Sequence, residues 1–309
     1  MAYNLKEQMS KPERFEAGHR LCAGCGAGIT CRAMMRAMEP GDKAVICNAT
    51  SCLEVSSFQY PFTAWDDSYI HAAFENTSAV AAGVESAYRA MKKKGKLQDN
   101  FKILAIGGDG GTYDIGFQSL SGALERGHDF TYFCYDNEAY MNTGTQRSSA
   151  TPRFASATTT PAGVESVGKK QNQKDLTQIV VAHGSPYVAQ TTFLGNFKDF
   201  HEKAHKAIYT EGPTFVNVLC PCPRGWQYSA ELLPEICRLA VDTCIWPLYE
   251  VENGEYHLTY MPKKKLPVEE FMKLQGRFRH CFKPGNEWTI EAAQNYVDEK
   301  WEALLAKCK

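Results

Sequence analysis

Apolar and polar positions alternate along this chain so that short buried runs are separated by amphipathic stretches. Residues 101–106 (FKILAI) form an apolar run with β-branched members, which predicts a buried strand ending at Gly107-Gly108-Asp109-Gly110. Ile115, Leu120 and Leu124 then recur near helical spacing, interrupted by Gly122, and a second apolar run, 130–135 (FTYFCY), stops at Asp136-Asn137. Strand, glycine-rich turn, helix and strand make a βαβ unit, right-handed in about 98% of cases and with its strands parallel. The turns at Asp109 and Asn137 are therefore expected side by side at the carboxyl edge of one sheet, where open α/β sheets bind ligands.

The same periodicities predict helices over 29–38 (stopped by Pro40-Gly41), 79–91, 175–183 and 196–210, and strands over 44–47, 187–191 and 214–219. Helix 79–91 runs into Lys92-Lys93-Lys94-Gly95-Lys96, where cations complement the helix dipole and glycine ends it. After Arg147, Ser, Thr, Pro and Gly predominate with no period. Such a stretch in a compact domain is functional or disordered, and its departure from the Asn137 turn predicts a cover over the site. Near 241 the pattern changes. Runs 249–252 and 256–260 around Asn253-Gly254 predict a hairpin, and 291–308 a last helix. The expected architecture is α/β: a mostly parallel sheet flanked by helices in a domain over 1–240, with a cysteine-bearing N-terminal arm. The extension over 241–309 holds no constellation of chemical groups and is expected to contact another subunit or to fold back on its own domain.

A chain of 309 residues can bury a large core. A net charge of −1, with the cations dispersed, argues against nucleic acid as a main partner. No apolar run reaches the roughly 18 residues of a membrane span, and MAYNLKEQMSKPERF is not patterned as a secretory signal. Twelve cysteines in such a chain, one of them (Cys134) within a core strand, point to a reducing cytoplasm with some thiolates committed to metal.

Two groups of residues carry chemistry. Glycines at 108, 110 and 111 let the backbone approach an anion, and the helix behind them offers free N–H donors. Asp109 and Asn137 supply hard oxygen ligands of the kind that hold magnesium beside phosphate oxygens. The bland alternative is an ordinary turn after a core strand. Cys22-Ala23-Gly24-Cys25, set among glycines, can hold a cluster, form half of a zinc site, or act as a redox pair. No second C-x-x-C follows. Cys52 and Cys222, on loops after strands, are free to reach a metal; Cys31, Cys47 and Cys220 read as core or strand residues. His71 reads equally as a cofactor contact or as a satisfied core histidine.

Gly108-Asp109-Gly110, followed after 26 residues by Asn137, resembles the thiamine-diphosphate motif. That resemblance implies Mg²⁺ bound by the side chains of Asp109 and Asn137 and the backbone carbonyl of Ala139. It departs from the usual form where Glu138 replaces a second Asn. Over nearly its whole length the chain is similar to the beta subunits of pyruvate:ferredoxin oxidoreductases, within the 2-oxoacid:ferredoxin oxidoreductase family. The similarity lies in GHRLCAGCG (18–26), ATSCLEVS (49–56), YPFTAW (60–65), YIHAAFEN (69–76), GGDGGTYDIG (107–116), YDNEAYMNTGTQRS (135–148), PCPRGW (221–226), WPLYEVENGEYHLT and VEEFMKLQGRFR. It implies the thiamin-diphosphate-binding fold of the diphosphate-binding type. It also implies a [4Fe–4S] cluster on Cys22, Cys25, Cys52 and Cys222, Asn142 as an active-site residue, and Gly108, Asp109, Gly110, Gly111, Thr112, Asn137, Thr50 and His71 around the cofactor.

The activity so implied is oxidative decarboxylation of a 2-oxoacid, pyruvate first, to acyl-CoA and CO₂, with electrons passed singly through the cluster to ferredoxin, and reversible. Alternatives are another 2-oxoacid (branched-chain, 2-oxoglutarate or oxalate), a non-redox thiamine enzyme, or a zinc-stabilised scaffold. The glutamate that contacts the cofactor's aminopyrimidine lies, in this family, on a separate domain, and no second α/β domain is legible here. An alpha subunit that binds the pyrimidine is therefore expected, with gamma and ferredoxin-like delta subunits or their fusions, and external ferredoxin. The chain alone is expected to be inactive.

Overall fold

A computed structural model of the chain describes residues 4–308. Its strands are β1 (Lys43–Ala49), β2 (Phe58–Gln59), β3 (Phe62–Thr63), β4 (Ser68–Ala72), β5 (Phe101–Gly108), β6 (Thr131–Asp136), β7 (Tyr187–Thr191), β8 (Thr214–Leu219), β9 (Tyr249–Glu252) and β10 (Glu255–Leu258). The helices are α1 (Leu5–Ser10), α2 (Gly26–Met35), α3 (Cys52–Ser57), α4 (Thr77–Lys93), α5 (Phe117–Glu125), α6 (Leu176–Val181), α7 (Phe197–Tyr209), α8 (Pro223–Trp226), α9 (Leu233–Asp242), α10 (Val268–Met272) and α11 (Glu287–Lys307). A π-helix, Gly110–Ile115, leads into α5.

Eight strands form one sheet in the order β10-β9-β7-β8-β6-β5-β1-β4. From β4 to β7 every neighbouring pair is parallel; β9 joins β7 antiparallel, and β10 closes the hairpin. Both faces are covered, which is why the central strands are apolar at consecutive positions. Ile103, Ala105, Tyr132 and Cys134 face a layer built from α4, α5, α6, α9, α10 and α11. Leu104, Ile106, Phe133 and Tyr135 face α2 and α7. The chain crosses from β4, on one side of β1, to β5 on the other, so the crevice between the carboxyl ends of β1 and β5 is where a ligand is expected.

Local signals explain several boundaries. Asn196 caps α7 by accepting from the Asp199 N–H at 3.1 Å, and Asp175 caps α6 by accepting from Gln178 at 3.3 Å. Gly95, at φ +67°, follows the lysine-rich end of α4. Helices start earlier than periodicity predicts, α4 at Thr77 and α11 at Glu287 among them, and two of the early starts fall on glycines. α2 begins at Gly26, directly behind Cys25, and the helical path after β5 starts in the glycine turn itself. Propensity disfavours glycine in both places, and burial against neighbouring loops overrides it.

Residues 249–258, in the stretch expected to form an extension, supply two strands of the main sheet, and Val297, Trp301 and Leu304 of α11 are buried in the same core as α6 and α9. The Ser/Thr-rich stretch after Arg147 carries no helix before α6, yet it is tied down. Lys169, 1% exposed, donates from Nζ to the carbonyl of Thr151 at 2.5 Å and of Ser149 at 3.2 Å. Among the described residues no helix is long and apolar enough to cross a membrane.

Candidate active site

Four adjacent parallel strands deliver the chemistry to one edge. Cys52 follows β1, Asp109 follows β5, Asn137 follows β6, and Cys222 lies just beyond β8. A cleft there is lined by Ser51, Cys52, Phe74, the Gly108–Gly111 turn, Asn137, Ala139 and the Tyr140–Thr143 segment that contains Asn142. Its floor has no room for side chains: a Cβ on Gly110 would lie 2.5 Å from the Tyr140 ring, and one on Gly111 2.9 Å from the Phe74 carbonyl oxygen.

Asp109 is 1% exposed. Its carboxylate accepts from the Ser148 hydroxyl at 2.5 Å and the Asn137 N–H at 3.3 Å. Burial pushes its pKa up to about 7, against the pull of those two donors, and the nearby Glu138 adds to the rise. Asp136 is buried too and is raised well above the carboxylate range by burial and by Asp109. This concentration of buried acid fits a cation. The end of the Asn137 amide lies 2.8 Å from the Ala139 carbonyl oxygen and 2.9 Å from Asp109 Oδ1. With its nitrogen inward, Asn137 donates to both. With its oxygen inward, three oxygens converge at the edge length of an octahedron of ligands about 2.0–2.1 Å from Mg²⁺, which is about 2.9 Å. The residues present thus fit the metal.

The cysteine arm reaches this edge by crossing the molecule. Arg20 N–H donates to the Ser56 carbonyl at 2.7 Å, and Gly26 N–H to the Pro221 carbonyl at 3.3 Å. Cys22 and Cys25 are thereby held between α3, whose first residue is Cys52, and the loop that carries Cys222. A negative charge on one of these four sulfurs raises the pKa of its neighbours: Cys22 and Cys222 act on Cys25, and all three others act on Cys52. Burial is the leading cause of the rise in Cys25, Cys52 and Cys222, with Cys52 pushed up to about 12. Backbone N–H groups work the other way, from Gly28 and Ala27 to Cys25 and from Gly225 to Cys222 Sγ at 3.3 Å. Cys22 is exposed and the other three are half-buried, whereas Cys31, Cys47, Cys134 and Cys220 are fully buried. Among the described residues no three His, Cys, Asp or Glu side chains converge tightly enough for a single ion.

Not every expected residue meets the cleft. Thr112 is completely buried, its hydroxyl donating to the Gly108 carbonyl at 2.7 Å and lying 2.9 Å from the Tyr132 hydroxyl. Thr50 donates to the Ala72 carbonyl at 3.2 Å. His71, at the end of the edge strand β4 and half exposed, pairs through Nδ1 with buried Glu54 at 2.7 Å. None of the three lines the cleft. Sequence reasoning missed Ser148, Glu138, Trp226 and Arg277 as parts of the site. Trp226 Nε1 donates to the Asn137 carbonyl at 2.7 Å, and Arg277 donates to Glu138 at 2.5 Å across 139 positions of sequence.

This edge and its acid-lined glycine turn define a diphosphate-binding domain of a thiamine enzyme: residues 21–218 match the family model described as thiamine pyrophosphate enzyme, C-terminal TPP binding domain. The chain is 52% identical over 299 residues to pyruvate synthase subunit PorB of Methanocaldococcus jannaschii, covering 96% of this chain and 98% of that one. It is 49% identical to the PorB subunit of Thermotoga maritima, covering 99% and 96%. It is also 44% identical to ketoisovalerate oxidoreductase subunit VorB of Pyrococcus furiosus, covering 97% and 96%. The chain belongs to the pyruvate synthase PorB family, the beta subunits of 2-oxoacid:ferredoxin oxidoreductases. Its fold is shared with a 2-oxoglutarate:ferredoxin oxidoreductase from Magnetococcus marinus at a TM-score of 0.56 and 22% identity, covering 77% of this chain and 81% of that chain.

Proposed function

We propose that this chain is the cofactor-binding beta subunit of a cytoplasmic enzyme that oxidatively decarboxylates pyruvate to acetyl-CoA and passes the electrons to ferredoxin. When bound, thiamine diphosphate supplies the electron sink for decarboxylation, and a four-thiolate iron–sulfur cluster supplies a one-electron acceptor. The chain's own part is to bind and orient. Gly108, Gly110 and Gly111 admit the diphosphate, and Asp109, Asn137 and the Ala139 carbonyl hold Mg²⁺. Asn142 lines the same cleft, and Cys22, Cys25, Cys52 and Cys222 hold the cluster. Thr50, His71 and the backbone of Thr112 are assigned to the neighbouring edge. Pyruvate is favoured over branched-chain acids by the two relatives of highest quoted identity, both pyruvate synthase subunits. An alpha subunit completes the pyrimidine end of the cofactor, and gamma and ferredoxin-like delta subunits or their fusions carry electrons onward.

The observation that carries this reading is Cys52, which both lines the cofactor cleft and belongs to the thiol group, so that decarboxylation and electron removal share one wall. The test is anaerobic purification with the accompanying subunits, iron and zinc counts, and EPR after dithionite reduction. A [4Fe–4S] signal that disappears in Cys222→Ser is the expected result. Zinc in its place, or thiamine binding with no iron, would leave a non-redox thiamine subunit.

A further inference from the structure

One buried ion pair stands between the two halves of the site. Glu138 sits between the metal-binding positions 137 and 139 with a left-handed φ of 64°, which aims its side chain inward. Its carboxylate accepts from Arg277 Nη2 at 2.5 Å and from Gln173 Nε2 at 3.1 Å. Arg277 is 2% exposed, and its guanidinium lies 3.7 Å from the centre of the Trp226 ring. Trp226 closes the other side: its ring N–H donates to the Asn137 carbonyl at 2.7 Å, and its backbone N–H donates to the Cys222 carbonyl at 2.9 Å. A single cation therefore touches the metal turn through Glu138 and stands over the short helix that Cys222 opens.

We propose that Arg277 and Glu138 are positioning residues whose opposite fixed charges set the reduction potential of the group held at Cys222 while locking it to the Asn137 turn. The inference rests on the reading of Cys22, Cys25, Cys52 and Cys222 as cluster ligands. Reduction adds one electron and breaks no bond, so a buried cation nearby favours the reduced form and a buried anion disfavours it. Both effects are large where water is excluded. Arg277 also has a geometric task, because only a planar cation can cover the indole while donating sideways to a carboxylate.

The test is EPR-monitored potentiometry on the assembled complex, following the signal that Cys222→Ser abolishes. Arg277→Met is expected to lower that potential and Glu138→Gln to raise it, each by at least a tenfold change in the reduction equilibrium, about 59 mV for a one-electron couple. Arg277→Lys keeps the charge and is expected to stay near wild type in potential. Glu138→Gln keeps the shape and one of the two accepting oxygens, and Arg277→Lys keeps the charge, so both remain informative if Arg277→Met fails to fold. Shifts of the same sign in the Arg277→Met and Glu138→Gln proteins, or none, would show a purely structural pair and overturn the inference with the cluster reading intact. A complex with no iron would overturn the cluster reading itself, and this inference with it.

Discussion

Asp109 is held by a hydroxyl and an amide N–H rather than by a cation of the chain's own, and burial, with the nearby Glu138, pushes its carboxyl up to about 7. Such a group is poised for a divalent ion, and Ser148 is what orients it. Ser148→Ala is expected to weaken Mg²⁺-dependent thiamine diphosphate binding about 10–100-fold, the usual effect of losing a hydrogen bond to a metal ligand. Calorimetric titration checks this, and unchanged affinity would remove Ser148 from the site. Asp109 and Asn137 were legible in the sequence because each ends an apolar strand at a fixed separation. Ser148 was not, since it lies 39 positions beyond Asp109 in a stretch without period, where only the fold brings it back.

Among the elements, the arm carrying Cys22 and Cys25 depends on a close backbone approach. A Cβ on Gly26 would lie 2.8 Å from the Pro221 carbonyl oxygen and 2.9 Å from the Cys220 carbonyl carbon, neither of which can swing aside. Gly26→Ala is expected to force the α2 start away from the Cys222 loop, costing about 1–3 kcal/mol as overpacking does. Iron content should fall while thiamine diphosphate affinity holds, because the diphosphate turn lies on β5 and β6. Full iron loading in that variant would contradict the expected separation of the thiols. The C-x-x-C spacing was plain in the sequence. Its placement behind no strand and directly before a helix was only half plain, because α2 begins with glycines that propensity rules would exclude.

Over the whole molecule, the tail is bound into the sheet it was expected to extend from. β9 pairs with β7, α11 covers the same core, and Arg277 reaches back to Glu138. Trp301→Ala is expected to destabilise the protein by about 3–5 kcal/mol, the range for emptying a buried indole site. Hydrogen exchange should accelerate in β7 and β9 as well as in α11. Acceleration confined to α11 would show that the tail folds by itself.

Local pattern was enough to set the parallel α/β architecture, the carboxyl-edge location of Asp109 and Asn137, and the position of Cys52 and Cys222 beyond strand ends, less buried than Cys47 and Cys220. Each of these follows from short-range periodicity and from the handedness of a βαβ crossover, which are written into consecutive residues. Tertiary packing decided which distant groups serve that edge: Ser148 on Asp109, Trp226 on Asn137, Arg277 on Glu138, and the hairpin on β7. Those contacts join parts of the chain whose own sequences carry no sign of one another. They exist because a buried carboxylate, carbonyl or strand edge must find a partner, and the partner is whichever segment the closed fold brings there.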